Sequence, residues 1–136
     1  MIDVIVKLLA IYHYAKDIHY HATGETFYST HLLMDRICNG IHDQIDAINE
    51  VAYLGQEREA PLSADTLKVA TAILPPISKE TQGNLARLYA IVSSAIESID
   101  EAKEYEPGGV VSLLDDIQKT LLQKKGLIGH TSNAYI

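Results

Sequence analysis

The chain has 136 residues, 47% of them hydrophobic and 21% charged, enough apolar material for the buried core of a single domain spanning residues 1–136. Eighteen acidic against eleven basic residues leave a net charge of −7, which repels phosphate and sets nucleic acid aside as an expected partner. One cysteine, Cys38, excludes an internal disulfide, and a reducing cytoplasmic location is the expectation.

The opening stretch to Ala15 is apolar, but Asp3 and Lys7 interrupt it and no small-residue cleavage site follows, so it reads as a core helix rather than a leader. No run approaches the roughly 18 apolar residues of a membrane span. Val4, Leu8, Ile11, Ala15 and Ile18 recur at steps of three or four, which predicts a first helix reaching about Ala22. Thr23 and Gly24 break it. A hydroxyl of Thr23, Thr26 or Ser29 is expected to cap a second helix that runs to Leu54, where Gly55 stops it.

The segment from Gln56 to Ser63 is charged and contains Pro61. It leads into a short helix, Ala64 to Ile73, that ends before Pro75-Pro76. Leu85, Leu88, Tyr89, Val92, Ala95, Ile96 and Ile99 mark a third long helix between Lys79 and Glu104, closed by Pro107-Gly108-Gly109. A fourth follows from about Val111 to Lys125, its terminal lysines suiting the negative end of the helix dipole. With no strand alternation and no repeat, the expected fold is all-α: a ferritin-like four-helix bundle with a short extra helix in the long crossover.

Six histidines are many for a small acidic chain, and four of them fall between His13 and His31. Along the second helix, at about 100° per residue, His31, Asp35, His42, Asp46 and Glu50 share one arc, while Leu33, Ile37, Ile41, Ile48 and Val51 form the core-facing arc. The polar set then faces away from the chain's own core. A di-iron centre inside a bundle would need carboxylates on the core stripe and a Glu-x-x-His step, and no such step occurs.

The spacing fits a site shared between two copies. His31–Asp35 and Asp46–Glu50 are two i, i+4 pairs separated by about 16 Å of helix, too far apart for one ion. Antiparallel copies related by a two-fold axis near residue 40 would set one pair opposite the other, twice over. His19, just before the chain folds back, is in reach of His31 as a second imidazole. Imidazole and carboxylate on an acidic scaffold suit Fe(II), with zinc or manganese able to use the same donors.

The stretch Lys16–Gly55, KDIHYHATGETFYSTHLLMDRICNGIHDQIDAINEVAYLG, resembles the signature of the Dps family, the miniferritins. His19, His31, Asp35, Asp46 and Glu50 stand at the family's five ligand positions, and the closing Leu-Gly matches as well. The resemblance implies a dodecameric hollow shell with ferroxidase sites at two-fold interfaces. There these five residues would bind iron as metal ligands and catalytic groups, hydrogen peroxide would oxidise Fe(II), and ferric mineral would be stored, protecting against oxidative stress. It also implies that His19, His31 and Asp35 come from one subunit and Asp46 and Glu50 from its mate.

The departures are specific. Tyr20 stands where the family usually has Trp after the first histidine, Gly126 replaces a Trp late in the last helix, and Ser112 replaces an acid early in it. Glu104, Asp115 and Asp116 are the substitutes expected for acids lining the pore. The lysine-rich tails that serve DNA binding in the family are not matched: the residues from Gly129 to Ile136 contain no lysine. Twelve copies at −7 carry roughly −84, so DNA compaction is not expected.

Of the other histidines, His13, His21 and His130 are expected to be bystanders, and His42 an undecided neighbour on the site face. Cys38 is expected to be a small interface residue. Tyr12, Tyr14, Tyr20 and Tyr28 are expected mainly to pack, with one near the metal able to donate an electron. Two rival readings remain: a scaffold that binds zinc only to hold its dimer, and an all-α magnesium-dependent nucleotide pyrophosphatase. The pyrophosphatase would want Glu-x-x-Glu steps where this face offers histidines.

Overall fold

The computed structural model describes residues 1–132, and among these the regular structure is entirely helical. The elements are α1 (Ile2–His21), α2 (Phe27–Cys38), α3 (Ile41–Ile48), α4 (Ser63–Ile73), α5 (Thr81–Lys103) and α6 (Gly108–Ser132). A π-helical turn, Asn49–Tyr53, and a 3-10 turn, Leu54–Gln56, extend α3. No helix among the described residues is long and apolar enough to cross a membrane.

Helix α1 is the centre of the molecule. It touches α2, α3, α4 and α5, while α6 lies along α5 and reaches α2 and α3. Hence its buried residues are spread around the helix, from Val4, Ile5 and Val6 through Tyr14 to Ile18, rather than confined to one stripe. Met34, Ile37, Ile41 and Ile48 close the core from one side, and Leu85, Leu88, Val92, Ala95, Ile99, Leu114 and Leu121 from the other.

The crossover is pinned by polar groups. Tyr14, fully buried on α1, donates its hydroxyl hydrogen to the Pro76 carbonyl at 3.0 Å and accepts from Arg87 Nε at 2.9 Å. Buried Asn84 accepts from the Ser78 N–H and donates to the Ser78 carbonyl, fixing the entry to α5.

The expected second helix is not continuous. Asn39 is extended, with ψ 132°, and Gly40 has φ 83°, so the chain kinks between α2 and α3. An Asn-Gly pair offers the residues that best tolerate such a turn. The uniform phase of about 100° per residue therefore does not carry from His31 to Glu50. Beyond Ile48 the π-helical turn shifts the phase again, and Val51, expected in the core, is exposed while Ala52 and Tyr53 are buried. Leu33 is only partly buried against the core.

Other boundaries also differ. Thr26 stands at the N-cap of α2 but its side chain caps nothing, and Ser29 donates back to the Thr26 carbonyl. The left-handed residue that ends the 3-10 turn is Glu57, φ 57°, rather than Gly55. The last helix begins directly after Pro107, whose carbonyl accepts from Val110 and Val111. It runs through Gly126 and Gly129 to Ser132, because burial of Ile128 and Gly129 outweighs the low helix propensity of glycine. The segment expected as a tail from Gly129 is thus helical as far as Ser132; residues 133–136 lie outside the described part.

Candidate metal centre

The end of α1 and the start of α2 are folded against each other by a five-residue turn in which Gly24, at φ 87°, takes a conformation other residues resist. This turn brings His19 and His31 face to face. Their rings stack with centroids 3.6 Å apart and planes inclined by 20°. The Nδ1 of His19 lies 2.9 Å from the His31 carbonyl, and the Nδ1 of His31 lies 3.3 Å from the His19 carbonyl. A carbonyl only accepts, so each Nδ1 carries the hydrogen, and in the neutral ring that leaves the lone pair on Nε2. That is the arrangement a metal-binding imidazole uses: one nitrogen anchored to backbone, the other available.

Asp35, one turn after His31, supplies the carboxylate. Its Oδ1 is 3.7 Å from His19 Nδ1 and 3.8 Å from Lys16 Nζ. One donor atom from each of His19, His31 and Asp35 falls within 4.8 Å of the others. His19 is buried, His31 partly so and Asp35 exposed, so the donor set opens to the surface. Two imidazole nitrogens and a carboxylate oxygen match the preferences of Fe(II), Zn(II) and Mn(II), and would leave further coordination positions open.

Of the five expected ligands, the chain by itself brings three together. Asp46, on α3, and Glu50, in the π-helical turn, are exposed and stand apart from the cluster. His42 is exposed and rests against the Tyr12 ring at 4.3 Å, with His13 on the same ring at 5.2 Å. Neither joins the cluster, and His21 and His130 do not either. Cys38 is buried within the chain and directs its S–H at the Tyr12 carbonyl. Burial pushes its thiol up to about 11, so it stays protonated and makes a poor ligand or nucleophile near neutrality. Among the acids expected at a pore, Asp115 is bound to Lys103 at 2.9 Å and Asp116 lies 3.9 Å from Lys119, while Glu104 is exposed.

Lys16 and Phe27 were not among the expected site residues. Lys16 stands beside Asp35 and within 6.0 Å of the Tyr20 ring centroid, and Phe27 lies 5.2 Å from His31. The sequence held a signal for Lys16, which precedes His19 by three residues and so shares its face. Tyr20 meets the edge of His19 at 5.1 Å. No family model matches the chain, and neither a curated protein nor a solved structure matches it.

Proposed function

We propose that the protein is a ferroxidase of the miniferritin type, which oxidises Fe(II) with hydrogen peroxide and stores the ferric product in a shell built from two-fold dimers. The observation that carries this reading is the reciprocally anchored His19–His31 pair with Asp35 beside it, open to the surface. Each exposed acid of the second pair then completes the site from a partner copy. The register supports it: Asp46 and Glu50 sit as far beyond the midpoint between residues 40 and 41 as Asp35 and His31 sit before it. Exposed apolar residues lie on both sides of it, Phe27, Tyr28 and Leu32 before and Val51 and Leu54 after, with Phe27 and Leu54 equidistant from the midpoint. Counting by residue survives the kink, although the helical phase does not. In this reading the contacts of α1 with α2, α3 and α5, and of α6 with α2, α3 and α5, are those of a ferritin-like four-helix bundle, with α4 as the crossover helix.

Iron is the substrate. Two Fe(II) ions give one electron each to a peroxide molecule, whose oxygens take up two protons and leave as water, so no hydroxyl radical is released. Lys16 balances Asp35 before iron arrives and is displaced by the cation. The test is anaerobic Fe(II) loading followed by peroxide, reading ferric absorbance, for the native protein and for the double variant Asp46→Asn/Glu50→Gln. Ferric formation is expected to slow by at least about ten-fold with the assembly size unchanged by light scattering. Unchanged kinetics overturns the proposal.

A further inference from the structure

The kink that separates α2 from α3 has a second side, away from the histidine cluster. Between it and α6 lies a cavity of about 300 Å³ whose lining holds two cations, Arg36 and Lys124, three amides, the Thr120 hydroxyl and Gly40. It contains no carboxylate. In a chain where acids outnumber bases by eighteen to eleven, a lining with two cations and no acid runs against composition.

Lys124 is the unusual member. Its residue surface is only 7% exposed, and its ammonium donates to the Asn39 carbonyl at 3.0 Å, at the end of α2. An ammonium carries three N–H donors and one positive charge. One neutral carbonyl takes one of the donors, and no carboxylate among the described residues pairs with the charge. Burying a cation without a counter-charge is costly, and burial accordingly holds Lys124 below the usual lysine range. Arg36, on the rim, has neither hydrogen bond nor ion pair among the described residues.

We infer that this pocket binds a phosphate-type oxyanion, held between the buried ammonium of Lys124 and the guanidinium of Arg36. A tetrahedral oxyanion has oxygens for both free N–H groups of the ammonium and for the planar fork of the arginine, and supplies the charge the pocket lacks. None of the five expected ligands lines the pocket.

The test is thermal unfolding of the intact protein in inorganic phosphate against sodium chloride of equal ionic strength. A chelator is present so that no iron carries the anion. At ten-fold excess over Kd the folded-to-unfolded ratio rises about eleven-fold, which reads as an increase of about 4 °C in Tm. The increase is expected to vanish in Arg36→Gln, an exposed substitution that leaves the core untouched, and in Lys124→Met. A parallel titration with glycerol 3-phosphate separates two sources of the same chemistry. A shift at least as large assigns a phosphate monoester, a shift from inorganic phosphate alone assigns the free ion, and either upholds the oxyanion site. Equal Tm in phosphate and chloride overturns it, as does a phosphate shift undiminished in Arg36→Gln.

Discussion

Replacing Gly40 with alanine separates a continuous second helix from a kinked one by the sign of its effect. At φ 83° an added Cβ meets no atom within 4 Å, so packing contributes nothing and the backbone alone decides. Holding an alanine in the left-handed region costs about 1–2 kcal/mol. A continuous helix through this position would instead gain about 0.5–1 kcal/mol from the same change, because alanine replaces glycine in a helix interior. Gly126 is the internal control. It lies within α6, where an added Cβ likewise meets nothing within 4 Å, so Gly126→Ala is expected to stabilise by that smaller amount. Urea unfolding with unchanged m-values measures both, and for a chain of this length the Gly40→Ala loss corresponds to a fall of roughly 3–8 °C in Tm. A neutral or stabilising Gly40→Ala would refute the kink. It would also restore a single helical phase from His31 to Asp46.

Two further outcomes follow from buried polar groups. Tyr14→Phe removes the donor to the Pro76 carbonyl and the acceptor for Arg87 Nε without changing the packed ring, and is expected to cost about 1–3 kcal/mol by denaturant unfolding; a loss below about 0.5 kcal/mol would refute the role of Tyr14 in pinning the crossover. Lys124 titrates lower in the folded chain than the 10.5 of an unburied lysine, so between those values the unfolded state binds more protons and stability rises with pH. Relative to Lys124→Met, the native protein is therefore expected to gain stability from neutral pH to about pH 10.5, and a parallel pH dependence of the two would refute the buried, uncompensated charge.

Much of this protein is written in local signals. Five helical segments were legible from apolar spacing and from the breaks at Thr23-Gly24, Pro75-Pro76 and Pro107-Gly108-Gly109, because periodicity and backbone restriction are properties of neighbouring residues. The donors were legible too: the spacing His19, His31, Asp35 needs only one turn of chain to bring two rings and a carboxylate together, and the structure does so.

What the sequence did not decide depends on contacts between distant segments. Asn39-Gly40 lies inside an apolar pattern that a helix would satisfy, and it kinks where Lys124, 85 residues away, donates to the Asn39 carbonyl. Val51 lost its place in the core because the π-helical turn rotates the chain there. Gly126 and Gly129 stay helical because Ile128 and Gly129 are buried. Composition announced an acidic surface, yet only folding could draw Arg36 and Lys124 into one acid-free pocket. Spacing along a chain fixes which side chains are neighbours within a few turns; which helices meet, and what a buried charge then faces, is settled by the packing of the whole core.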